Sequence, residues 1–385
     1  MLTKLKYLTS GESHGKGLLG IINGIPSGLE LDEDYILSQL SRRQKGHGRG
    51  NRMKIESDRA EIYSGVRLGE TIGAPIGLII ENMDYKNWTS IMSIDKNSKK
   101  PKSITLPRPG HADLAGVQKF GFSDIRNVIE RSSARETAMR VAIGSICRKL
   151  LKEVGIEVGS RVIQIHDILD DSVIDLSQGA ELIAKKADKS DVRCVDETKS
   201  KNMVDRIDSA KKEGDSVGGK FEVFATGVPA GTGSYSQWFD RLQSKISESI
   251  MSINAIKAIE FGSGFKNSSR RGSQVHDEIS WDGKKYIRSS NNAGGIEGGI
   301  SNGEPIIFQA AMKPISTLIK PLKSVDIISK EKKLAHKERT DSCAVPAASI
   351  VAESMLCIVI TDSMLEKFGG DSMLELKKHI SSSNL

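Results

Sequence analysis

The sequence has 385 residues, with 56 Lys and Arg against 49 Asp and Glu, so its formal net charge is +7. Apolar residues make up 38% and charged residues 27%, a composition typical of globular proteins and not of disordered chains. No apolar run approaches the roughly 18 residues of a membrane span, and the N-terminus lacks the apolar stretch of a signal peptide. The four cysteines are widely separated, which predicts neither a disulfide framework nor a zinc site. We therefore expect a cytoplasmic protein with no membrane partner and no metal.

We expect a single domain over residues 1–385, because no Pro- or Ser-rich linker divides the sequence. Two polar stretches interrupt the apolar pattern, a Lys-rich one at about 87–105 and one dense in Lys, Asp and Ser at about 185–218. They are the best candidates for domain breaks, and we interpret them as surface excursions of one domain.

Five segments give the clearest secondary-structure signals. In chain order they predict a strand at 73–80, a helix at 134–152, a strand at 220–226, a helix at about 238–252 and a helix from 346 to about 369. Ser133 and Glu136 form a capping-box pattern at the start of the first helix. The last helix contains Met355-Leu-Cys-Ile-Val-Ile360, which is apolar on every side. We expect that helix to be buried between layers.

A weak internal repeat relates the two halves of the sequence. Gly24-Ile-Pro-Ser-Gly28 resembles Gly227-Val-Pro-Ala-Gly231, and each precedes a predicted helix. Gly69-x-x-x-Gly73-Ala-Pro-Ile resembles Gly299-x-x-x-Gly303-Glu-Pro-Ile, in the same order. The pattern favours two half-units, each building a sheet, and chance similarity between Gly- and Pro-rich turns is the equally weighted alternative.

The first glycine-rich segment, Gly11-Glu-Ser-His-Gly15-Lys-Gly17, lacks the Gly-x-x-x-x-Gly-Lys-Ser/Thr pattern of a phosphate-binding loop. It places Ser13 and His14 between glycines, which let a ligand approach the backbone.

The basic segment 42–54 follows, with arginines among glycines and no aromatic residue. Arginine forks suit carboxylates and phosphates, so this segment predicts a site for one small polyanion, an RNA-binding arm or a solvated loop.

Further along, Arg108-Pro-Gly-His111-Ala-Asp113 places a second histidine beside an arginine. Arg131-Ser-Ser-Ala-Arg135 opens a predicted helix, and the free N–H groups of a helix N-terminus favour an anion. The second half adds polar or glycine-rich segments at 254–255, 291–301, 313–317 and 339–346. Taken singly, each of these segments is at least as typical of a plain turn or an ordinary helix cap.

Taken together, the segments resemble the chorismate synthase family, whose order they keep from about residue 5 to residue 360. The motifs that carry the resemblance are Gly11-Glu-Ser-His-Gly15, Arg108-Pro-Gly-His-Ala-Asp113, Arg131-Ser-Ser-Ala-Arg-Glu-Thr-Ala-Met-Arg140, Asn292-Ala-Gly-Gly295, Lys313-Pro314 and Arg339-Thr-Asp341. One departure is Arg126-Asn-Val-Ile-Glu-Arg131, where the family would have glycines before Arg-Ser-Ser.

The resemblance implies an α+β fold, a β-α-β sandwich with a helical layer between antiparallel sheets, assembled as a homotetramer. It implies a carbon–oxygen lyase that converts 5-enolpyruvylshikimate 3-phosphate to chorismate and phosphate by 1,4-anti elimination, the last step of the shikimate pathway towards the aromatic amino acids. The family requires reduced FMN, because the ring hydrogen that leaves is poorly acidic and the flavin lends electron density. NADPH could reduce the flavin on this chain, although without an appended reductase domain a separate flavin reductase is favoured.

The resemblance also assigns roles to individual residues. His14 would be the general acid near the departing phosphate, His111 would protonate or balance the reduced flavin, and Asp341, helped by Ser13, would accept the proton from flavin N5. The substrate would be held by Arg43, Arg49, Arg108, Arg135 and Arg339. The flavin would be held by Arg131, Ser132, Ser133, Asn254, Ala255, Gly298, Lys313, Pro314, Ile315, Ser316, Thr317 and Arg339. Arg43 and Arg49 are also family positions for NADPH contact.

Two other functions are alternative hypotheses to the lyase. An RNA-binding protein using Arg42 to Lys54 would show salt-sensitive binding to long polyanions and would need neither histidine. A non-catalytic flavin-binding protein would bind FMN and tolerate substitution of both histidines. The low aromatic content of 5% argues against nucleic acid as a partner.

Overall fold

The structure is a computed structural model that describes residues 2–50, 57–338 and 340–383. Within these residues the strands are β1 Lys6–Ser10, β2 Gly17–Asn23, β3 Ala60–Ser64, β4 Val66–Arg67, β5 Glu70–Thr71, β6 Ile76–Glu81, β7 Glu157–Ile165, β8 Ile168–Leu169, β9 Gly219–Thr226, β10 Ile256–Phe261, β11 Ile279–Trp281, β12 Tyr286–Arg288, β13 Ile296–Glu297, β14 Ile300–Ser301, β15 Ile306–Met312, β16 Lys323–Val325 and β17 Lys332–Leu334. The α-helices are α1 Glu33–Gln44, α2 Asp113–Phe120, α3 Arg126–Ser132, α4 Thr137–Glu153, α5 Ala180–Ala187, α6 Glu197–Glu213, α7 Leu242–Met251, α8 Val345–Phe368 and α9 Met373–Ser382.

The first half of the chain builds a four-stranded sheet in the order β1-β2-β6-β3, with every pair antiparallel. Its strands alternate between a buried and an outward face, as in β2, where Leu18 and Ile22 are buried while Leu19 and Ile21 are exposed. This period of two is the pattern of a sheet with one face on the core. The buried face therefore packs against helices α1 and α4.

The second half builds a five-stranded antiparallel sheet in the order β10-β15-β9-β7-β8. Helix α4 packs against β2 and β6 of the first sheet, and helix α8 packs against β7 and β9 of the second. The two helices also pack on each other along their lengths. The fold is thus α+β, with one antiparallel sheet packed on α4, the other packed on α8, and these two helices packed on each other.

Helix α8 is buried from Val345 to Leu365, on all of its faces. Its most apolar 18-residue window has a mean hydropathy of 1.6, so by length and composition alone it could cross a membrane. This corrects the expectation that the sequence holds no apolar run of that length. Every residue of the window is buried inside the protein, which is the environment of a core helix.

A glycine allows the close approach of α4 and α8. A Cβ atom on Gly144 would lie 2.5 Å from the Cβ of Ser354 and 2.7 Å from its carbonyl oxygen. Such distances are far inside van der Waals contact, so the crossing of the two helices requires glycine here.

The predicted elements occur with shifted ends. Strands β6 and β9 and helices α4, α7 and α8 lie where the sequence predicts strands and helices. The predicted capping box at Ser133 does not form, since the Ser133 hydroxyl accepts from the N–H of Arg135 and residues 134–136 form a 3-10 turn before α4. The polar stretch 185–218 contains helix α6, whose Met203, Ile207 and Ala210 are buried. Its apolar residues are too few to give a clear periodicity, so the sequence does not predict this helix.

Candidate active site

A cavity of about 410 Å³ lies beside the first turns of α8, which is within the usual range for small-ligand sites. Its cationic residues come from distant segments, and its apolar wall is supplied largely by α8 and neighbouring loops. The polar lining residues are Ser13, His14, Arg43, Arg49, Arg108, His111, Ser132, Ser133, Arg135, Thr137, Asn254, Lys313, Ser316, Thr317, Glu338, Thr340 and Asp341. Folding therefore brings both predicted histidines, the predicted aspartate and four predicted arginines to one cavity.

His14 lies in the loop between β1 and β2 and is almost fully buried. Its Nδ1 is 3.0 Å from Oε1 of Glu130, and its backbone N–H donates to Oε2 of the same carboxylate at 2.7 Å. Burial of Glu130 opposes its ionisation, but hydrogen bonds from His14 more than offset this effect, so the pKa of Glu130 is lowered from 4.5. Glu130 is therefore an ionised acceptor that the Nδ1–H of His14 can contact.

The aromatic ring of Trp88 lies against the same imidazole. The two ring centroids are 3.8 Å apart with an interplanar angle of 23°, a stacked arrangement. Trp88 follows the 3-10 helix Met83–Asn87, and its indole N–H donates to Asp84. The stretch 87–105, expected as a surface excursion, thus contains a residue that stacks on the ring of His14.

His111 is held by the aspartate two residues later in its own motif. Its Nδ1 lies 2.6 Å from Oδ1 of Asp113, and Arg108 reaches the same carboxylate through Nε at 2.8 Å and Nη2 at 3.0 Å. Burial would raise the pKa of Asp113, but hydrogen bonds from His111 and Arg108 hold it well below its usual value. Nη1 of Arg108 donates to Thr317 at 2.8 Å. Arg108, proposed from sequence to hold the substrate, is thus engaged mainly with protein groups.

Two of the predicted arginines share one buried carboxylate. Asp58 is 1% exposed, lies 3.4 Å from Nη1 of Arg43 through Oδ2 and accepts from Nη1 of Arg135 through Oδ1. Burial lowers the pKa of Arg43 to about 10, against the raising effect of Asp58, so the guanidinium stays charged at neutral pH. One carboxylate beside two cations leaves a positive excess at the cavity wall, which favours an anionic ligand.

Asp341 anchors the loop that carries Arg49. Its Oδ2 lies 2.9 Å from Nη1 of Arg49, and its Oδ1 accepts from the backbone N–H of Gly50 at 2.6 Å. Both side chains line the cavity. Arg49 and Asp341, 292 residues apart in numbering, therefore meet as an ion pair at the cavity wall.

The residues expected to hold a flavin divide into two groups. Ser132, Ser133, Asn254, Ala255, Lys313, Ile315, Ser316 and Thr317 line the cavity. Nδ2 of Asn254 donates to the carbonyl of Ser132, while its buried Oδ1 has no hydrogen-bond partner among the described residues. Ala255 has a φ of 67°, which is strained for a residue with a Cβ and is found at ligand-binding sites.

Three of the other expected positions do not line the cavity, and the fourth lies outside the described residues. The Arg131 guanidinium is exposed and donates to the carbonyls of Thr9 and Gly11, and Gly298 is at the exposed turn between β13 and β14, so neither lines the cavity. Pro314 is not among the lining residues, and Arg339 lies outside the described residues. Hydrogen bonds to the carbonyls of Thr9 and Gly11 set the position of Arg131, and the β13–β14 hairpin sets that of Gly298. A linear sequence motif reveals neither contact.

Sequence reasoning missed the groups that position the predicted residues. Asn82 ties two parts of the cavity together, since its Oδ1 accepts from Nε of Arg135 and its Nδ2 donates to the carbonyls of Glu12 and Gly15. Asp58, Trp88 and Glu130 were likewise unassigned. Only Glu130 had a signal, because Arg126 and Glu130 are spaced i,i+4 in the segment that departs from the family pattern.

The basic segment 42–54 does not form an exposed arm over its described part. Arg42 lies 2.7 Å from Glu353, Arg43 contacts Asp58 and Arg49 contacts Asp341. These side chains are mostly buried, and a nucleic-acid arm needs cations that face solvent. The rest of the segment, 51–54, lies outside the described residues.

Comparisons with known proteins agree on one family. The sequence model described as "Chorismate synthase" matches residues 5–365. The chain is 54% identical over 374 residues to the chorismate synthase of Alkaliphilus metalliredigens (strain QYMF), covering 97% of each chain. It is 52% identical over 384 residues to that of Aquifex aeolicus (strain VF5), covering 98% of this chain and 96% of the relative. A crystal structure of a chorismate synthase superposes with a TM-score of 0.80 at 43% identity, covering 99% of this chain and 97% of the other.

Proposed function

The chain belongs to the chorismate synthase family, and from this premise we propose that the cavity containing His14 and His111 is its active site. The chain is a carbon–oxygen lyase that converts 5-enolpyruvylshikimate 3-phosphate to chorismate and phosphate. The observation that carries the assignment of the site is the convergence of Arg43, Arg49 and Arg135 with two histidines in one cavity.

The charge of the cavity suits this substrate. Two carboxylates and a phosphate carry roughly −3.5 to −4 at neutral pH, given a second phosphate pKa near 6. Among the described residues, four arginines and Lys313 line the cavity against the carboxylates of Glu338 and Asp341. Arginine forks can contact each anionic group in a bidentate manner, so they orient the substrate as well as attract it.

His14 is proposed to donate a proton to the departing phosphate. A general acid at this point lowers the barrier because it neutralises the leaving oxyanion. The carboxylate of Glu130 beside Nδ1 stabilises the protonated imidazole. His14 can therefore hold a proton in a largely buried position.

His111 and Asp341 are proposed to manage charge and protons on the other side of the reaction. Asp113 keeps a carboxylate next to His111, so a protonated His111 would balance developing negative charge in the cavity. Asp341 is proposed to accept a proton, assisted by Ser13. Arg49 contacts its Oδ2 and the N–H of Gly50 contacts its Oδ1, so proton transfer to Asp341 requires one of these contacts to loosen.

Reduced FMN is proposed as the cofactor, and when bound it supplies electron density that lets the poorly acidic ring hydrogen leave. Lys313 and the residues 315–317, together with Asn254 and Ala255, are proposed to hold it. The buried, unsatisfied Oδ1 of Asn254 fits an N–H donor of a flat heterocycle, and Ile253, Met312 and Val351 supply apolar surface for a ring. Arg131, Gly298, Pro314 and Arg339 remain predictions for this cofactor.

We propose the full fold as a β-α-β sandwich of two repeated halves. The turn after β2 and the turn after β9 make the same hydrogen bonds to the strand before β6 or β15. Gly28 N–H donates to Thr71 O at 2.8 Å, as Gly231 N–H does to Ser301 O, and Thr71 Oγ1 donates to Pro26 O at 2.6 Å, as Ser301 Oγ does to Pro229 O. These matched contacts support the repeat predicted from the glycine and proline spacing, within one domain over 1–385.

A homotetramer in the cytoplasm, with neither nucleic acid nor membrane as a partner, is proposed as the working form. The outward face of the first sheet supports assembly, because Leu8 is 79% exposed and Ile21, its neighbour across β1 and β2, is 55% exposed. Adjacent exposed apolar residues of this kind are typical of subunit interfaces. Replacing both with Glu should shift the mass measured by light scattering towards smaller species, while an unchanged tetramer would place the interface elsewhere.

The reaction is tested by an anaerobic assay with pre-reduced FMN and 5-enolpyruvylshikimate 3-phosphate. We expect chorismate and phosphate in equal amounts, and none with oxidised FMN alone. A parallel reaction with oxidised FMN and NADPH shows whether the chain reduces flavin itself or depends on a separate reductase. A folded protein that forms no chorismate with pre-reduced FMN would overturn the proposed site and cofactor together.

A further inference from the structure

Glu130 combines burial with two contacts to one candidate catalytic residue. It is 2% exposed at the end of α3, and both of its oxygens face His14, Oε1 towards Nδ1 at 3.0 Å and Oε2 towards the backbone N–H at 2.7 Å. The backbone N–H of Ser13 also donates to the carbonyl of Glu130 at 3.0 Å. Glu130 of α3 thus contacts the loop at both Ser13 and His14.

The surroundings of Glu130 favour its ionised form. From its own helix, Arg126 lies 3.1 Å from Oε1, and the same guanidinium lies 2.9 Å from Glu338. His336 lies 3.0 Å from Glu338, and Asp84 holds the indole of Trp88. Of these charged neighbours, Arg126 is the cation that contacts Glu130. The backbone N–H and the imidazole of His14 also contact the Glu130 carboxylate.

The ring of His14 is restrained on its face as well as at its edge. Trp88 stacks on it at 3.8 Å, and the guanidinium of Arg126 lies 5.1 Å from the Trp88 ring. The imidazole is therefore bounded by an indole on one face and by a carboxylate at Nδ1. Both contacts restrain the orientation of the ring, and the carboxylate favours a proton on Nδ1.

We propose that Glu130 is a positioning residue that holds His14 as the Nδ1–H tautomer and stabilises its protonated form, an inference that rests on the proposed function only for its effect on turnover. In this tautomer the proton is exchanged at Nε2, while Nδ1–H stays on the carboxylate. A carboxylate that fixes the tautomer of an imidazole also favours the imidazolium, which a general acid must become before it donates.

The test replaces Glu130 with Gln, which keeps the size and an oxygen for the backbone N–H of His14. The amide NH₂ then faces Nδ1 and donates to it, so the neutral ring must carry its proton on Nε2. We expect nitrogen NMR of the folded variant to show the Nε2–H tautomer of His14. Turnover should fall roughly 10²-fold with little change in KM.

The matched control is Glu153→Gln, which removes a carboxylate that pairs only with Lys377 at the surface among its described contacts. It should leave the tautomer of His14 and the turnover unchanged. An unchanged tautomer of His14 in folded Glu130→Gln would overturn the proposal. If that variant does not fold, the wild-type protein decides, because a neutral His14 protonated on Nε2 contradicts the inference directly. Absence of chorismate formation by the wild type would sink the proposed function and leave the tautomer result standing.

Discussion

His111 and Asp113 form a hydrogen bond of 2.6 Å between Nδ1 and Oδ1, although only one residue separates them in the chain. Asp113 begins α2, and its other oxygen accepts from the backbone N–H of Arg108 at 2.9 Å. The carboxylate thus closes the Arg-Pro-Gly-His turn on itself. The imidazole and the guanidinium of this turn are positioned by the same buried group.

Replacing Asp113 with Asn should lower turnover roughly 10²–10⁴-fold, because the amide cannot stabilise a protonated His111 and the Arg108 ion pair is lost. Steady-state kinetics with pre-reduced FMN measures the effect. Asp282→Asn, in the exposed turn of the β11–β12 hairpin, is the control and should retain wild-type turnover. Comparable rates for the two variants would exclude a role for Asp113.

Removing either imidazole should be severe. His14→Ala and His111→Ala are each expected to reduce turnover by roughly 10²–10⁴-fold, the scale of lost acid–base catalysis, with the fold retained. Single-turnover assays separate the chemical step from binding, and circular dichroism checks the fold. Near-wild-type activity of either variant would remove the role assigned to that histidine.

Arg49→Ala should weaken substrate binding more than flavin binding. The guanidinium lies at the cavity wall with Asp341 and is proposed to contact an anionic group of the substrate. Its loss also removes the ion pair with Asp341. Titration with each ligand separately measures the difference, and a larger effect on FMN than on substrate would contradict the assignment.

Glu353 is a buried carboxylate whose contribution to stability can be tested by changing the pH. It lies in α8 and contacts Arg42, Arg148 and Arg193. Burial would raise its pKa, but these arginines lower it from 4.5 to about 2. Because the folded protein binds this proton less readily than the unfolded chain, the stabilisation is complete above about pH 4.5 and is lost as the pH falls towards 2.

Glu353→Gln should therefore lower the free energy of unfolding by about 3–5 kcal/mol at pH 7, since it leaves buried arginines without their carboxylate. Urea unfolding at pH 7, 5 and 3.5 should show this difference shrink at the lowest pH. Glu153→Gln, which removes an exposed ion pair, should change the stability by less than about 1 kcal/mol. A constant difference across this pH range would show that Glu353 does not act as an ionised group.

The sequence was sufficient for the residues that we propose to perform the chemistry and insufficient for those that position them. His14, His111 and Asp341 stand in motifs with a recognisable order, and the structure brings them to one cavity. Asp58 and Trp88 lie in segments without a motif, and their importance depends on contacts made only after folding. Tertiary partners at large sequence separation leave no local pattern.

The same distinction applies to the fold. The periodic and wholly apolar segments predicted α4 and α8, because burial dictates their composition. Helix α6 was hidden, since only Met203, Ile207 and Ala210 face the core and the rest of the helix is solvated. The turn at Ser133 also differed from its capping-box pattern, because Glu136 pairs with Arg140. At Ser133, an ion pair of the folded protein therefore replaces the contact that the local motif predicts.

Gly144 does not line the cavity, but it packs against the helix that forms part of the cavity wall. The nearby Ser354 is three residues, about one helical turn, beyond Val351, whose side chain lines the cavity. A methyl group at position 144 would act as a wedge and tilt α8, moving the cavity wall formed by Ala347, Ala348 and Val351. A substitution at this buried helix crossing would therefore change the shape of the cavity without touching a ligand.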